Sequence, residues 1–356
     1  MNRLPQKLSL VAQSAAILKE AVLAGEWTEW LPGEHELCRQ IHVSRRTVRA
    51  ALDQLAREGI IKCHRGKRRQ IMAGRRHRGK PMSRRVVLLM PVPVHSLDPF
   101  GVFLIDQLRE HLSEADYLLE THASRVPYRA RIPREMDKLE QTLRPAGWVL
   151  LHSTAQMQGW FAERQLPCVV VGSRYRNVEL PSVDTDYDAV CRHAVGLFIA
   201  RGHRRLLLLN PRPEAAGDSK TEEGFRAAAQ KTNARDVQAD VVWHDGIPGS
   251  ICATVDRLLR LAKPPTAFLV SRPRHVLTVL SHLLHRGSRF PQNGALISRD
   301  DESFLEDVVP TIARYSKNPG AFASKVSRVV LDMVQGTARP AEHRITPTFI
   351  PGETLG

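Results

Sequence analysis

Residues 44–59 carry the clearest hydrophobic pattern in the chain. Apolar residues recur there at intervals of three and four, a spacing that places them on one face of a helix. They are Val48, Ala51, Leu52 and Leu55. Ser44 is a favourable N-cap before them, and Gly59 is a favourable stop after them. The segment is therefore predicted to form a short amphipathic helix.

The polar face of this predicted helix is basic. Arg45 and Arg49 lie one turn apart, and Arg46 and Thr47 lie beside them, so several hydrogen-bond donors gather in the first turn. The second helix of a helix-turn-helix motif needs such donors to contact bases and phosphates in a major groove. The alternative interpretation is an ordinary solvated helix face.

The flanking segments fit a helix-turn-helix followed by a hairpin. Residues 34–41 are predicted to form a helix that buries Leu37 and Ile41, and only a short turn separates it from the next helix. Downstream, residues 60–63 and 70–72 are predicted to be strands. The residues between them are almost all cationic, and Gly66 suits a hairpin turn. A basic hairpin at this position is typical of a wing.

Residues 7–73 resemble the GntR type of winged-helix transcription regulator. The matching residues are Gly25, Trp27, Leu31, Pro32, Glu34, Glu36, Leu37, the run from Val43 to Arg49, Ala51, Leu52, Leu55, Glu58 to Ile61, and Gly66. The resemblance implies that residues 1–73 form a winged helix-turn-helix domain that binds a double-stranded DNA operator. One position departs from the family pattern, because His35 stands where arginine is usual.

The basic face and the resemblance together predict a set of DNA-binding residues. They are His35, Ser44, Arg45, Arg46, Thr47 and Arg49 in the helix-turn-helix, and Arg65, Gly66 and Lys67 in the wing. If the family arginine reaches the DNA, His35 implies a weaker or pH-dependent contact at its position.

The distribution of charge supports a polyanionic partner for this domain. The chain of 356 residues has a formal net charge of +15. Residues 1–85 hold 19 Lys and Arg against 7 Asp and Glu, whereas residues 86–356 hold 33 against 30. A basic field confined to one small domain indicates a polyanion there, bound with strongly salt-dependent affinity.

Beyond the wing, the pattern indicates a linker and then a large α/β domain. Residues 74–85 combine Gly, Pro and cations, so they are predicted to be a linker that either follows the phosphate backbone or is a solvated tether. Residues 86–356 alternate short apolar strands with amphipathic helices. Two successive series of strand-helix units predict two lobes, each with a doubly wound parallel sheet.

Residues 85–352 resemble the effector-binding domain of LacI/GalR-type regulators, which share the periplasmic-binding-protein fold. The matching residues are Asp98 to Phe100, Val183 to Asp186, Gly202 to Arg205, Gly224 to Ala228, Pro291, Ser298 to Asp301, Pro310 and Gly336. The resemblance implies two α/β lobes joined by three chain crossings. Lobe one is expected at about residues 86–180 plus 312–338, and lobe two in the remainder.

An effector is expected between the lobes, because open α/β sheets bind ligands at the carboxyl ends of their strands. The loops after predicted strands supply the candidate effector-binding residues. They are Asp98, Phe100, Ser153, Ser173, Arg174, Arg272 and Asp300. Carboxylates accept hydrogen bonds from hydroxyl groups, and an aromatic ring covers an apolar sugar face. Asp98, Asp300 and Phe100 therefore favour a sugar or a sugar derivative.

Two departures from the LacI/GalR pattern fall on ligand-contacting positions. Thr221 stands where the family usually has arginine, and Arg272 stands where it usually has asparagine or aspartate. Two alternatives follow. Either the cleft accepts a different ligand, such as an anion bound by Arg272 and Arg174, or the domain has lost small-molecule binding and serves dimerisation or contact with a protein partner.

Other functional classes have little support in the sequence. The serines lack a Gly-x-Ser-x-Gly context and no glycine-rich phosphate loop is present, so an enzyme is not expected. The five cysteines form no Cys-x-x-Cys pair, the histidines show no metal-ligand spacing, and no cofactor or metal is predicted. Polar residues interrupt the N-terminal apolar segment, so we expect neither a signal peptide nor a membrane partner. The protein is therefore expected to be cytoplasmic.

The sequence is thus interpreted as a transcription regulator controlled by a small molecule. Repression is the role that the resemblance implies. A homodimer on a pseudo-palindromic operator is expected, because two-fold protein symmetry requires a matching two-fold site.

Overall fold

The computed structural model describes residues 9–23, 27, 30–58, 60–62, 69–71, 83–128, 132–212, 215–232, 234 and 236–356. The chain divides into two compact units, Met1–Ser83 and Arg84–Gly356. Within the described ranges, none of the helices is long and apolar enough to cross a membrane.

The described residues of the first unit form three helices and a two-stranded antiparallel sheet. Its elements are α1 (Leu10–Leu23), α2 (Glu34–Ile41), α3 (Arg45–Arg57), β1 (Ile61–Lys62) and β2 (Gln70–Ile71). Leu18, Leu37 and Leu52 are fully buried where the three helices meet. The predicted helix-turn-helix is therefore confirmed, with α3 starting directly after Ser44. Gly59, the hairpin tip at residues 63–68 and linker residues 74–82 lie outside the described residues.

Lobe one is built on a six-stranded sheet in which all strands are parallel. Its strands are β3 (Arg85–Met90), β4 (Leu118–Ala123), β5 (Gly147–Leu151), β6 (Cys168–Val171), β7 (Ser182–Thr185) and β13 (Glu342–Ile345). Their spatial order is β13-β7-β6-β5-β3-β4. The helices are α4 (Pro99–Glu114) and α11 (Pro319–Val334) on one face, and α5 (Ile132–Leu143) and α6 (Ala155–Glu163) on the other.

Lobe two repeats this plan. Its strands are β8 (Arg205–Pro211), β9 (Gln238–His244), β10 (Ala267–Val270), β11 (Ala295–Ser298), β12 (Ala313–Ser316) and β14 (Thr348–Ile350). Their order is β14-β12-β11-β10-β8-β9, and only β14 runs antiparallel to its neighbour. The helices are α7 (Tyr187–Ala200), α8 (Ala216–Gln230), α9 (Pro248–Leu259) and α10 (Pro273–His285).

Strand β8 shows why these sheets carry helices on both faces. Leu206 and Leu208 pack into the apolar cluster beneath α7 and α8, whereas Leu207 and Leu209 pack into the cluster beneath α9 and α10. Successive side chains of a strand point to opposite faces, so a continuous apolar run needs cover on each face. The predicted doubly wound architecture is confirmed.

The chain crosses between the lobes three times, but later in the sequence than we predicted. The crossings follow β7, β12 and β13, at about residues 186, 317 and 346. The predicted lobe boundaries are therefore wrong in three places. Residues 182–185 and 342–345 belong to the sheet of lobe one, and residues 313–316 belong to the sheet of lobe two. All three errors come from strands with too few apolar residues to be recognised.

Candidate functional site

The first turn of α3 presents its basic residues because Ser44 starts the helix. The Ser44 Oγ accepts a hydrogen bond from the Thr47 N–H at 3.2 Å, which satisfies one of the amide groups left free at a helix start. His42 takes a left-handed conformation with a φ of 52°, so α2 ends sharply before it. The exposed basic residues of this turn are Arg45, Arg46 and Arg49.

Glu34, the first residue of α2, gathers three arginines around its carboxylate. Its Oε2 accepts hydrogen bonds from Arg45 Nε at 2.9 Å and from Arg49 Nη2 at 3.0 Å. Its Oε1 accepts from Arg69 Nη2 at 2.9 Å. We call these four residues the Glu34 cluster.

The Glu34 cluster keeps its carboxylate ionised. Hydrogen bonds from Arg49, Arg45 and Arg69 together lower the pKa of Glu34 to about 2, against an opposing effect of burial. The side chains of Arg45 and Arg49 nevertheless remain 56% exposed. The cluster therefore holds two guanidinium groups in place while leaving them accessible to a phosphate or a base edge.

The Glu34 cluster also joins the helices to the wing. Arg69 directly precedes β2, and its carbonyl oxygen accepts a hydrogen bond from the Leu31 N–H at 3.0 Å. Sequence reasoning listed Glu34 only as a motif residue and placed Arg69 in the hairpin tip. The sequence did not reveal either role, because the contacts of Glu34 join positions that are 11, 15 and 35 residues apart.

The structure brings most of the predicted DNA-binding residues together. Ser44, Arg45, Thr47 and Arg49 lie at the N-terminal end of α3, and Arg46 is exposed beside them. His35 is exposed on α2, next to Glu34. Arg65, Gly66 and Lys67 fall outside the described residues.

Replacing Glu34 by glutamine should reduce the discrimination between specific and non-specific DNA. Glutamine keeps the shape of the side chain but removes the charge that orients Arg45 and Arg49, while the surface becomes more positive. We expect the ratio of operator affinity to random-duplex affinity to fall by roughly tenfold. Fluorescence anisotropy with both duplexes measures this ratio.

Glu36→Gln is the matched control for this prediction. Glu36 lies on the same helix and forms its ion pair with Arg39 on α2 itself. The substitution makes the same change in charge without touching α3. If both variants change the two affinities equally, the Glu34 cluster acts only through net charge, and the assigned positioning role is wrong.

In the second unit, the loops at the carboxyl ends of the two sheets lie close together. Lys317, in the crossing after β12, places its Nζ 5.5 Å from the ring centre of Phe100 in lobe one. Loss of hydration lowers the pKa of His152, the residue after β5; Asp98 opposes this shift, and Arg272 of lobe two reinforces it. These loops face each other across the boundary between the lobes, and we call this boundary the inter-lobe cleft and its two sides the walls.

On the lobe-one wall, Gln158 connects two of the predicted effector-binding residues. Its side chain is fully buried, and its Nε2 donates to Ser153 Oγ and to the Ser173 carbonyl oxygen, each at 3.0 Å. The Ser173 hydroxyl in turn donates to Asp184. Arg174 instead donates to the Leu180 carbonyl oxygen at 3.1 Å, within its own lobe.

Asp98 and Phe100 lie at the start of α4 on the same wall. The Asp98 Oδ1 accepts from the Gly101 N–H at 2.7 Å and so caps the helix. Phe100 packs edge-on against Phe322, with ring centres 5.5 Å apart. Across the cleft, burial raises the pKa of Glu302, and Asp98 raises it further. Two carboxyl groups therefore approach each other from opposite lobes.

The lobe-two wall carries a network of five charged residues, which we call the cleft ion cluster. Its members are Asp218, Arg272, Arg299, Asp300 and Lys317. Arg299 bridges Asp218 and Asp300 with N–O distances of 2.8 and 2.7 Å. Arg272 lies 2.7 Å from Asp218. Lys317 lies 3.0 Å from Asp300.

Because the cleft ion cluster is largely buried, each of its charges depends on its oppositely charged partners. The side chain of Arg299 is 1% exposed and that of Asp218 is 0% exposed. Burial alone would raise the pKa of Asp300, but Arg299, Lys317 and Arg272 reverse the effect and hold it well below its usual range. Charges removed from water in this way are stable only when they are paired.

The predicted effector-binding residues therefore fall into connected groups. Arg272 lies 3.8 Å from Asp300, and Phe100 reaches the same cluster through Lys317. Ser153 and Ser173 are linked by Gln158. Asp98 faces Glu302.

Sequence reasoning missed three members of the cleft ion cluster, which are Asp218, Arg299 and Lys317. The sequence shows that Thr221 stands where the family usually has arginine. Which side chain contacts Thr221 can be seen only in the structure. Arg299 Nη1 donates to Thr221 Oγ1 at 2.9 Å, so a guanidinium group reaches this position from the end of β11. The resemblance included Arg299 among its motif residues without giving it a role.

Comparisons with known proteins agree with both units. Residues 10–71 match the family model of bacterial regulatory proteins, gntR family. Residues 195–355 match the model of a periplasmic binding protein-like domain. No curated protein sequence matches the chain.

Solved structures resemble the second unit in fold. A LacI family transcriptional regulator from Bifidobacterium animalis subsp. lactis has 19% identity and a TM-score of 0.64, covering 76% of this chain and 97% of its own. The transcription regulator CcpA of Lactococcus lactis has 15% identity and a TM-score of 0.65, covering 77% and 100%. A LacI family regulatory protein from Chloroflexus aggregans has 18% identity and a TM-score of 0.64, covering 77% and 99%.

The helix-turn-helix with its basic turn and these matches define a DNA-binding transcription regulator. Residues 10–71 are thus similar to the gntR family of bacterial regulatory proteins, and the second unit has a periplasmic binding protein-like fold that it shares with solved LacI family regulators.

Proposed function

We propose that this regulator is a repressor that binds its operator as a homodimer and is controlled by a small molecule in the inter-lobe cleft. The DNA-binding part of this proposal is supported by the Glu34 cluster, which orients two exposed arginines at the start of α3. The observation that carries the effector half is the cleft, whose two walls converge on polar and charged side chains.

In this proposal, α3 enters the major groove by its N-terminal turn. Arg45 and Arg49 contact base edges, because a guanidinium group presents two parallel donors that match the acceptors of guanine. Ser44, Arg46 and Thr47 contact phosphates, as do the wing residues Arg65, Gly66 and Lys67. His35 contacts the DNA beside Glu34 when its imidazole is a donor.

The small molecule, proposed to be a sugar derivative, acts by changing the relative position of the lobes. Because the chain crosses between the lobes three times, a ligand that bridges both walls favours one arrangement of the whole unit. A dimer transmits that preference as a change in operator affinity. The change cannot exceed the difference in ligand affinity between the two arrangements.

A second candidate function is a DNA-bound regulator whose second unit no longer senses metabolites and serves dimerisation or a protein partner. The observation that favours it is the internal pairing of the cleft ion cluster, in which Arg299 is almost fully buried. A thermal-shift screen with sugars and sugar derivatives separates the two candidates, because a ligand that prefers the folded state raises the melting temperature.

Selection of bound duplexes from a random library should recover a pseudo-palindromic site. With the full-length chain, half-sites are expected about one helical turn apart, since each protomer presents one α3 to successive major grooves. If the dimer contacts six to ten phosphates, affinity should fall by roughly a thousandfold or more between about 50 and 200 mM salt. A single unpaired half-site would contradict the homodimer, and a reporter gene that is activated by binding would contradict repression.

A further inference from the structure

We propose that Arg69 is a positioning residue that sets the sequence specificity of α3 through Glu34, without contacting DNA itself. It holds the Glu34 carboxylate in the orientation that places Arg45 and Arg49 for base contacts. This inference rests on the proposed function, because it explains how the reading of bases by the first turn of α3 is set.

Arg69 belongs in sequence to the cationic hairpin, but its side chain lies against the core. Side chains alternate between the two faces of a strand, so Arg69, which directly precedes β2, shares a face with Ile71. Ile71 is 5% exposed and packs in the core of the first unit. The side chain of Arg69 is 21% exposed, against 56% for Arg45 and for Arg49. Of the three guanidinium groups around Glu34, that of Arg69 is therefore the least accessible to DNA.

The backbone of Arg69 is fixed by the segment that leads into α2. Its carbonyl oxygen accepts a hydrogen bond from the Leu31 N–H at 3.0 Å, and the next residue, Gln70, forms an antiparallel bridge with Trp30. The same segment continues to Glu34, the first residue of α2. Backbone contacts thus hold Arg69 close to Glu34. Their ion pair therefore costs less side-chain freedom than a pair between two mobile surface residues.

The two oxygen atoms of the Glu34 carboxylate have different partners. Oε2 accepts from Arg45 Nε at 2.9 Å and from Arg49 Nη2 at 3.0 Å. Oε1 accepts from Arg69 Nη2 at 2.9 Å and, less closely, from Arg49 Nε at 3.4 Å. The last torsion of a glutamate side chain is soft, so a partner that holds Oε1 from the core side decides where Oε2 points. With Arg69 in place, Oε2 faces both exposed guanidinium groups of α3.

The Nε atom of Arg69 separates a positioning role from a structural one. This atom is buried and has no hydrogen-bond partner within the part of the chain that the structure describes. A buried donor without a partner costs free energy, and an apolar side chain at this position removes that cost. Glu34 would still pair with two other arginines. The first unit should therefore keep its stability without the Arg69 guanidinium group.

Fluorescence anisotropy with the full-length chain, the selected operator and a random duplex tests the positioning role. Arg69→Met keeps an unbranched apolar stem and removes the guanidinium group. The ratio of operator affinity to random-duplex affinity should fall by at least about threefold, the effect of losing one hydrogen bond. Arg69→Lys keeps a cation that can donate to Glu34, so it should retain most of the wild-type ratio.

Lys62→Met is the matched control. Lys62 is exposed on β1 and pairs with Gln70, so its side chain lies on the opposite face of the hairpin from Arg69. The substitution removes the same charge from the same hairpin without touching Glu34. It should weaken binding to both duplexes by similar, small factors, because non-specific affinity depends on charge alone.

The salt dependence of operator binding shows whether Arg69 contacts DNA. The slope of log affinity against log salt concentration falls by about 0.9 for each phosphate contact that is lost. Arg69→Met should leave this slope unchanged. A slope that falls by the value of one contact means that Arg69 binds a phosphate directly, and it overturns the inference.

The Glu34→Gln background shows whether Arg69 acts through Glu34. There, Arg69→Met should lower the affinity ratio little further, because the carboxylate that it positions is already absent. A fall as large as in the wild type overturns the inference. So does an unchanged ratio in Arg69→Met, or a change equal to that of Lys62→Met.

Hydrogen exchange of the amides in α1, α2 and α3 measures the stability of the first unit within the full-length chain. Protection in Arg69→Met should equal that of the wild type. A clear loss of protection, with the affinity ratio lost in parallel in Arg69→Lys, assigns Arg69 a structural role and overturns the inference.

Arg49→Ala distinguishes failure of this inference from failure of the proposed function. If Arg49→Ala lowers the affinity ratio and Arg69→Met does not, α3 reads bases but Arg69 does not position its side chains. If neither variant lowers the ratio, base reading by the first turn of α3 is wrong, and the inference falls with it.

Discussion

Replacing Asp218 by alanine is expected to lower the free energy of unfolding of the two-lobed unit by about 3–5 kcal/mol. The carboxylate is fully buried and pairs with Arg299 and Arg272. Its removal leaves the Arg299 guanidinium group, itself 1% exposed, with Asp300 as its remaining partner in the cleft ion cluster. Urea unfolding followed by circular dichroism measures the loss.

Two further variants make this prediction specific. Asp256→Ala removes a carboxylate of the same type that pairs with Arg286 and His282 on the surface of lobe two, and it should unfold much closer to wild type. The double variant Asp218→Leu with Arg299→Met removes both ions and should regain much of the lost stability. If Asp218→Ala is no more destabilising than Asp256→Ala, the cluster does not depend on its buried charges.

The elements best predicted from the sequence are those whose pattern is local. Helix α3 was recognised because its apolar spacing and the Ser44 cap both lie within its own residues. Strands such as β5 and β6, Gly147–Leu151 and Cys168–Val171, fit the alternation of apolar strands and amphipathic helices that the sequence predicts, because both faces of a central strand need apolar side chains.

The strands that escaped recognition lie near the edges of the sheets or at the crossings. Strand β13 reads Glu-His-Arg-Ile and pairs on one side with β7. An edge strand has one neighbour and more contact with water, so its sequence carries no apolar run. Strand β7 is fully buried but contains Ser182, Asp184 and Thr185, and Asp184 lies 3.8 Å from Lys220 of lobe two. Together with β12, which reads Ala-Arg-Tyr-Ser, these two strands account for the misplaced lobe boundaries.

The candidate cleft could be predicted in position but not in chemistry. Loops after strands were a sound guide, since Arg272 and Asp300 do lie on one wall. Their partners could not be found in the same way, because Asp218 comes from the first turn of α8 and Lys317 from a crossing. Charge pairing across such distances depends on tertiary packing. The sequence left an anion bound by Arg272 and Arg174 as one alternative, whereas in the structure Arg272 pairs with Asp218 and Arg174 donates to the Leu180 carbonyl oxygen within lobe one.

Arg49→Ala is expected to lower operator affinity by roughly tenfold to a hundredfold while leaving the first unit folded. The side chain is 56% exposed and reaches Glu34 from the surface of α3. Its removal takes no apolar contact from the core around Leu52. What is lost is a guanidinium group held in the orientation that a base edge requires, so anisotropy should show a larger loss for the selected operator than for random duplex.

Arg57→Ala separates the loss of a base contact from the loss of one positive charge. Arg57 is exposed in the last turn of the same helix, where its side chain donates to the Asp53 carbonyl oxygen. Removing it should weaken operator and random duplex by similar, small factors, because non-specific binding depends on charge alone. If Arg49→Ala behaves as Arg57→Ala does, α3 does not read sequence through its first turn. In the Glu34→Gln background, Arg49→Ala should lower operator affinity by a smaller factor than in the wild type, because the Glu34 carboxylate that orients Arg49 is already absent.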